Sequence, residues 1–397
     1  MKSVEAGTQK SRKSIYRDTN LQIVFGVTLM AVLGVSSITP AFPRMLRELQ
    51  VSAQTVGLLI TVFTLPGVFL TPVLGILADR WGRKKILVPS LMLFGVAGGA
   101  CAFARDFNLL LILRFLQGIG AASLSSLNFT VIGDLYSGKE RATAMGYNAS
   151  VLSVGTASYP AIGGALAMLG WYYPFVLPFV AVPVGLVVLF SLNNPEPRNE
   201  QRLKSYLRDV WQGIKNRRVL GLFAASIMTF IILYGSYLTY YPILMQGSFG
   251  ASPLTIGLIM SSMSLTTAFT SSQLGKLTRR HSQVVLLKGV YLLYALALVI
   301  VPFVPSLWLL LIPTVIFGIA HGINIPSLLT LLAGSAPAEH RAAFMSLNGM
   351  VLRLGQTLGP LVTGAVFGLW GIGGAFFAGA GFSLAMFVLV LILIGRG

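Results

Sequence analysis

Residues 141–164 read RATAMGYNASVLSVGTASYPAIGG, and residues 341–364 read RAAFMSLNGMVLRLGQTLGPLVTG. An offset of 200 residues superposes the two segments without a gap and gives nine identities in 24 positions. Apolar composition alone would give about two or three identities. The identical pairs are Arg141/Arg341, Ala142/Ala342, Met145/Met345, Asn148/Asn348, Val151/Val351, Leu152/Leu352, Gly155/Gly355, Pro160/Pro360 and Gly164/Gly364. The sequence therefore predicts two related halves.

The composition of the chain is that of a membrane protein. Apolar residues make up 55% of its 397 residues and charged residues only 10%, which is too little charge to cover a soluble globule. A membrane helix needs about 20 predominantly apolar residues. Twelve stretches meet this need: 20–43, 54–77, 86–105, 108–132, 142–168, 171–193, 217–245, 254–275, 284–304, 307–332, 343–370 and 373–395. We expect an all-α membrane protein with twelve transmembrane helices.

The repeat extends beyond its best-matched segment. The same offset pairs Gly57/Gly257, Leu58/Leu258, Leu74/Leu274, Gly75/Gly275, Leu77/Leu277 and Arg80/Arg280. We therefore divide the chain into an N-terminal six-helix half, residues 1–193, and a C-terminal six-helix half, residues 217–397. The long polar stretch 194–216 is the expected cytoplasmic linker between these two pseudo-repeats.

The distribution of basic residues predicts the orientation. With the N-terminus inside, 24 of the 29 Lys and Arg residues fall in cytoplasmic loops or at their edges, as short positively charged loops do. Three lie outside, Arg44, Arg47 and Arg105, and two lie within spans, Arg114 and Arg353. The net charge of +18 is thus explained by topology and attraction to anionic lipid, so no nucleic-acid partner is expected. Both termini should be cytoplasmic in a plasma (inner) membrane.

The connection between the second and third stretches reads GILADRWGRKK, residues 75–85. Gly75 would allow close helix contact, and Gly82 would allow a tight turn. The segment resembles the signature loop of the major facilitator superfamily, G-x-L-A-D-R-x-G-R-K-x. The resemblance implies two parallel repeats around a central substrate site, and an inner gate formed by this loop. The inner-gate candidates are Gly75, Asp79, Arg80, Gly82, Arg83 and Asp134.

Three further patterns resemble motifs of the same family. Arg114 and the following Gln117-Gly118 are similar to its span 4 motif, in which an arginine is linked to proton movement. Pro40 and Pro43 resemble a signature of its twelve-helix drug/proton antiporters. Spans 5 and 11 resemble the antiporter motif G-x-x-x-G-P-x-x-G-G, although Tyr159 and Thr363 replace glycines. The helix-packing candidates are Gly155, Pro160, Gly163, Gly164, Gly355, Gly359 and Pro360.

Polar residues inside the predicted spans are the candidates for the substrate cavity. An Arg at mid-membrane costs roughly 2.5 to 3.5 kcal/mol, so Arg114 and Arg353 should face water or a partner. All eleven acidic residues fall at span edges, in loops or in termini, which argues against a site built for cations. By family analogy helices 1, 4, 7 and 10 line the cavity. The cavity candidates are Arg114, Gln117, Asn128, Tyr234, His321, Asn324 and Arg353.

Several of these residues have more than one interpretation. His321 has a reference pKa of about 6.5, near neutrality, so it is a proton-coupling candidate together with Arg114; it is equally a neutral hydrogen-bonding ligand or a packed bystander. Arg353 is either an anion-facing substrate contact or a structural group that snorkels or caps carbonyls. Tyr234, Tyr237 and Tyr241 fall at i, i+3 and i+7, so we expect them to share one stripe.

Other functional classes find no support in the sequence. It contains no phosphate-binding loop, no Ser/His/Asp set and no metal-ligand cluster, so we expect neither an enzyme nor a cofactor or metal site. The resemblance implies a monomeric, proton-coupled exporter of small amphipathic or lipophilic compounds that works by rocker-switch alternating access, with membrane lipid around it. The alternatives are a symporter or facilitator for a small anionic metabolite and, from another class, a non-transporting receptor or scaffold.

Overall fold

The computed structural model describes residues 15–194, 216–335 and 341–394, and these residues form helices and connecting turns without a β-strand. Ten of the described stretches are long and apolar enough to cross a membrane. The helical stretches are α1 (Thr19–Glu48), α2 (Ala53–Trp81), α3 (Arg83–Ala100), α4 (Phe107–Leu135), α5 (Gly138–Leu169), α6 (Tyr173–Ser191), α7 (Arg217–Phe249), α8 (Pro253–Leu277), α9 (Gln283–Phe303), α10 (Leu307–Ser335) and α11 (Arg341–Leu393). The predicted all-α membrane fold is confirmed.

Each of the twelve predicted stretches is occupied by helix, and the differences lie at the connections. The last two stretches form the two arms of α11, which meet at Gly371, where φ is 68°. The predicted loop 78–85 is also mostly helical, since α2 ends at Trp81 and α3 begins at Arg83. Only Gly82 interrupts them, with φ 107° and ψ 141°, a conformation that favours glycine as expected.

The buried apolar side chains form two clusters. One draws its members from residues 15–192 and the other from residues 219–394. Tyr234, Leu238 and Ile243 of α7 pack against both clusters. The predicted linker, 194–216, lies outside the described residues except for its two ends. We refer below to residues 15–194 as the N-terminal segment and to 216–394 as the C-terminal segment.

Contacts between the two segments repeat with the offset seen in the sequence. A Cβ atom on Gly57 of α2 would lie 3.0 Å from Cβ of Pro360 on α11. The repeat-related Gly257 of α8 lies directly against the carbonyl of Pro160 on α5. Helix pairs α2–α11 and α5–α8 therefore meet through equivalent glycine and proline positions, as two copies around a shared axis would.

Both helix pairs diverge at the other end of the molecule. Gly75 lies 18 residues beyond Gly57, which is five full helical turns, so both glycines occupy the same face of α2. Gly275 has the same relation to Gly257 on α8. Among the described residues, a Cβ on Gly75 or Gly275 would meet nothing within 4 Å, and the same holds for Gly146 on α5 and Gly349 on α11. The described helices of the two segments are thus in close contact at one end and lack these contacts at the other.

The two ends also differ in charge. We call the end that carries Asp79, Arg83 and Asp134 the basic end, because most described cations outside the helix interiors lie there. They include Arg80, Arg83, Lys84, Lys85, Lys139, Arg141, Lys276, Arg279 and Arg280. The opposite end carries Arg44, Arg47 and Arg105. The separated end of the helix pairs is the basic end.

Candidate functional site

An ion-pair cluster joins α2, α3 and α4 at the basic end. Arg83 Nη1 lies 2.6 Å from Asp79 Oδ1, and Arg83 Nε lies 3.0 Å from Asp134 Oδ2. The same guanidinium donates to the carbonyl of Ala78 at 3.0 Å, which lies in the last turn of α2. The positive φ of Gly82 allows the chain to reverse there, so that Arg83 returns to the end of α2. The structure thus brings together three of the inner-gate candidates, all from the N-terminal segment.

Two other inner-gate candidates have different surroundings. Arg80 is exposed. Gly75 was expected to permit close helix contact. In this conformation a Cβ there would meet no described atom within 4 Å, so that role stays a prediction for another conformation. The physical reason is the divergence of α2 and α11, which leaves this face of α2 open.

The glycines of the packing motif lie where helices approach most closely. Gly163 contacts the carbonyl of Ser37 on α1, and Gly164 contacts the carbonyl of Pro253 on α8. On α11, a Cβ on Gly355 would lie 2.6 Å from the carbonyl of Ile227, and one on Gly359 would lie 2.9 Å from that of Ile231. Any side chain at these positions would displace backbone. Gly155 is less crowded, since its neighbours are the side chains of Leu29 and Val32 on α1.

Arg114 is enclosed in the N-terminal segment. Its Nη1 donates to Gly34 O at 2.8 Å and to Gln117 Oε1 at 2.7 Å, and its Nε donates to Leu59 O at 3.1 Å. The ring of Phe63 lies 4.2 Å from the guanidinium carbon. Arg114 and Gln117 are both 0% exposed. Charge-assisted bonds to carbonyls and the aromatic face compensate for burial of the cation, so Arg114 joins α1, α2 and α4.

Asn128 lies in a second buried polar cluster of this segment. Its Nδ2 donates to Thr28 Oγ1 at 2.6 Å, and Thr28 Oγ1 lies 2.5 Å from Asn148 Oδ1. The C-terminal segment contains a counterpart, because Ser226 Oγ donates to Asn348 Oδ1 at 3.1 Å. Asn148 and Asn348 are repeat-related, so each segment ties its fifth helix to its first through the same asparagine.

His321 of α10 belongs to a chain of polar contacts. Its Nδ1 lies 2.8 Å from the hydroxyl of Tyr294 on α9. Asn324 Nδ2 lies 3.4 Å from the same hydroxyl and 2.7 Å from Thr229 Oγ1 on α7. His321 is partly exposed, whereas Asn324 is 0% exposed. The chain therefore connects a ring that reaches open space with a buried amide across three helices.

Arg353 reaches from the C-terminal segment to the N-terminal one. Its Nη1 donates to Gln356 Oε1 at 3.2 Å, and its Nη2 lies 3.4 Å from Ser125 Oγ on α4. Its Cδ would lie 3.0 Å from a Cβ on Gly67 of α2. One turn further toward the closed end, Thr357 Oγ1 bonds Thr64 Oγ1 at 2.9 Å. Arg353 is partly exposed and lies where the contacts between the segments end.

The tyrosines of α7 do not share the expected stripe. Residues Leu233–Tyr240 form a π-helix, whose wider turn changes the helical register. Tyr237 stacks on Tyr241 at 5.0 Å and on Phe317 at 4.9 Å. Tyr234 instead contacts Phe230, packs against both clusters and lies within electrostatic range of Arg353.

The seven cavity candidates differ in exposure in this conformation, and their place at a substrate cavity stays a prediction. Arg114, Gln117, Asn128 and Asn324 are at most 3% exposed, because neighbouring helices enclose them. Each keeps one buried polar atom without a hydrogen-bond partner among the described residues: Arg114 Nη2, Gln117 Nε2, Asn128 Oδ1 and Asn324 Oδ1. Tyr234, His321 and Arg353 are partly exposed and remain as candidates. Sequence reasoning missed several hydrogen-bonding residues of this site. These are Ser, Thr and Tyr side chains of the apolar helices that belong to no motif. They are Thr28, Thr64, Ser125, Thr229, Tyr294 and Thr357.

One protein-family model matches most of the chain. The model of the Major Facilitator Superfamily matches residues 24–250 and 232–397. Multidrug resistance protein 1 of Bacillus subtilis (strain 168) is 25% identical over 357 residues, 88% of this chain and 90% of the relative. The bacillibactin exporter of the same organism is 26% identical over 362 residues, 87% and 89% of the two chains. A bacterial homologue of the human lysosomal transporter Spinster superposes with a TM-score of 0.77 at 18% identity, covering 97% of this chain and 95% of that one.

Proposed function

The chain belongs to the Major Facilitator Superfamily, and on that premise we propose that it exports small amphipathic or lipophilic compounds in exchange for protons. It is a multi-pass membrane transporter of the multidrug efflux type. The two curated relatives carry export or drug-resistance names, which supports the direction of transport and the class of substrate proposed here. The proposal includes a monomer in the plasma (inner) membrane, with both termini cytoplasmic.

One observation carries the proposal: α2–α11 and α5–α8 are in contact at one end and separated at the basic end. Thr61 and Thr64 bond Thr357 near the closed end, while Gly75 and Gly275 face open space. Because basic loops remain cytoplasmic, this conformation corresponds to one open to the cytoplasm. In our proposal residues 1–193 and 217–397 rock about the polar linker 194–216 to reach the opposite state.

The cluster at the basic end supports an inner gate in this proposal. Asp79 and Asp134 pair with Arg83 within the N-terminal segment. In the inward-open state these ion pairs therefore do not link the two segments. When the basic end closes, the glycine-lined faces of α2 and α8 approach their partners. Asp79, Arg80 and Arg83 are then in position to stabilise the basic end in its closed state. Gly75 and Gly82 permit the helices to approach there.

Transport of a charge-matched series of dyes tests this function. The purified chain is reconstituted into liposomes with dansylglycine, dansylglycinamide or dansylcadaverine, which are anionic, neutral and cationic. We expect a pH gradient to drive the accumulation of at least one dye, and a protonophore to abolish it. Accumulation that is unaffected by the protonophore would contradict proton coupling, and protein-free liposomes are the control.

A second candidate function is uptake or facilitated movement of a small anionic metabolite. The partly exposed cation Arg353 favours it, because no acidic residue occurs within 216–335 or 341–394. Symport predicts that anions move in the direction of the protons, whereas export by exchange predicts opposite directions. The same liposomes therefore separate the two candidates.

A further inference from the structure

Arg353 and Arg114 begin the same short pattern in different surroundings. Each is followed three residues later by a glutamine that its Nη1 contacts, Gln356 at 3.2 Å and Gln117 at 2.7 Å. Arg114 adds two carbonyls and an aromatic ring, and it is 0% exposed. Arg353 has only Gln356 and the 3.4 Å contact with Ser125 as hydrogen-bond acceptors in the described structure. The pattern thus yields one fully enclosed arginine and one that is poorly satisfied.

The contacts of Arg353 are too weak to balance its charge. A guanidinium has five N–H donors, and both acceptors of Arg353 are neutral and lie beyond the usual hydrogen-bond length of about 2.9 Å. The described parts of its segment, 216–335 and 341–394, supply no counterion, because they contain no Asp or Glu. Arg353 therefore retains donors and an uncompensated charge near the middle of the molecule.

The carboxylates of the other segment are also placed elsewhere. The six acidic residues within 15–194 lie at or next to helix ends, and those that form described ion pairs do so with Arg83 or Arg44. They are Asp18, Glu48, Asp79, Asp106, Asp134 and Glu140. Arg353 lies about 18 Å along α11 from Arg341, which places it well inside the span. No carboxylate among the described residues is thus placed to pair with Arg353, and an anion from outside the protein can take that position.

We propose that Arg353 is the subsite that binds the anionic group of the transported compound, with Tyr234 beside it. This inference rests on the proposed function and narrows its substrates to amphipathic molecules that carry a carboxylate or a similar anion. The apolar part of such a molecule would lie against the partly exposed rings of Tyr234 on α7 and His321 on α10. The guanidinium fork matches a carboxylate in two parallel bonds.

The same geometry gives anion binding a consequence for the closed end. The 3.4 Å contact with Ser125 joins α11 to α4, and the neighbouring Thr357 holds α11 against α2. An anion that engages both Nη atoms would compete with Ser125 for Nη2. Binding therefore weakens the Arg353–Ser125 contact between the segments. This contact lies one turn from the Thr357 bonds that join the segments at the closed end.

Equilibrium binding of a matched pair of dyes tests the subsite without transport. Dansylglycine and dansylglycinamide differ only in carboxylate against amide, and their fluorescence reports binding to the purified full chain. Charge-assisted bonds predict about tenfold tighter binding of dansylglycine. Arg353→Gln should reduce this preference to about one while leaving dansylglycinamide bound. Arg353→Lys should keep part of the preference.

Two variants control for other causes. Ser125→Ala removes the contact between segments but leaves the cation, so the preference should persist. Arg105→Gln removes a positive charge at the opposite end and should have no effect. If Arg353→Gln does not fold, the subsite is tested by competition for dansylglycine binding on the wild-type chain. The anionic 1-naphthalenesulfonate should displace dansylglycine, and the neutral 1-naphthalenesulfonamide should not.

Several outcomes would overturn the subsite. They are a wild-type chain that binds neither dye or shows no preference, and an Arg353→Gln variant that keeps the preference. Displacement by the neutral sulfonamide as readily as by the sulfonate would do the same. Proton coupling is measured separately in liposomes, so a preference that depends on Arg353 together with protonophore-insensitive transport would refute the coupling and leave the subsite standing.

Discussion

At the scale of single residues, His321 is the group through which we expect transport to respond to pH. Imidazole is the side chain whose charge ordinarily changes near neutrality, and His321 is partly exposed within α10. We predict that His321→Ala flattens the dependence of the transport rate on pH. The measurement is initial rates in liposomes at a fixed substrate concentration.

Tyr294→Phe is the matched variant for this prediction. It removes the hydroxyl 2.8 Å from His321 Nδ1 but retains the ring against Phe317. Because the imidazole remains, the pH dependence should persist with a shifted midpoint. A pH profile in His321→Ala that matches the wild type would remove His321 from the coupling mechanism.

The sequence predicted the contacts of residues that belong to the 75–85 motif. It did not predict the contacts of single polar residues within the spans. The motif at 75–85 predicted that Asp79, Arg83 and Asp134 lie near one another. The structure places a carboxylate oxygen of Asp79 and one of Asp134 within 3.0 Å of Arg83 nitrogens. Arg114 was expected to face water or a partner and Asn128 to lie near the cavity, and both are buried. Their partners are backbone carbonyls and the hydroxyl of Thr28, which helix packing supplies and residue type does not reveal.

At the scale of helices, the pair α2–α11 holds the closed end through threonine hydroxyls. Thr64 Oγ1 and Thr357 Oγ1 lie 2.9 Å apart. Losing one such bond costs about 1 kcal/mol, which would change a two-state population by about fivefold. We predict that Thr357→Val increases the population of molecules in which this closed end is open. Spin labels at Arg47→Cys and Ser248→Cys, exposed ends of α1 and α7, measure this as a longer distance.

Thr130→Val serves as the control for Thr357→Val. The hydroxyl of Thr130 donates to Ser126 O on its own helix at 3.1 Å, so its loss should not change the spin-label distances. Equal distance distributions in Thr357→Val and the wild type would show that the threonine bond does not hold this end closed.

Helices were easier to predict than their irregularities. Apolar stretches of about 20 residues identified every helical region, because hydrocarbon thickness fixes their length. The π-helix at Leu233–Tyr240 was not predictable from spacing, and it separated Tyr234 from Tyr237 and Tyr241. Gly371, with φ 68°, separates the last two predicted stretches, and the chain turns there without a longer loop.

At the scale of the whole molecule, the repeat predicts a second conformation. Gly57 and Gly257 are in contact at the closed end, and Gly75 and Gly275 occupy the same helix faces at the open end. If the segments rock about their shared axis, the contact moves from one set of glycines to the other. The open glycines are then interface positions of the state that the structure does not adopt.

Two valine substitutions on α8 should therefore have opposite effects. Gly257→Val would collide with the carbonyl of Pro160 in this conformation, whereas a side chain at Gly275 would meet nothing within 4 Å. We predict that Gly257→Val shifts the Arg47→Cys/Ser248→Cys labels to longer distances, because it disfavours closure of the opposite end. Gly275→Val should retain the wild-type distance and dye binding but lose most transport, since it blocks closure of the basic end. A Gly275→Val variant that transports normally would mean that this face of α8 never closes, and that the segments do not exchange contacts as the repeat requires.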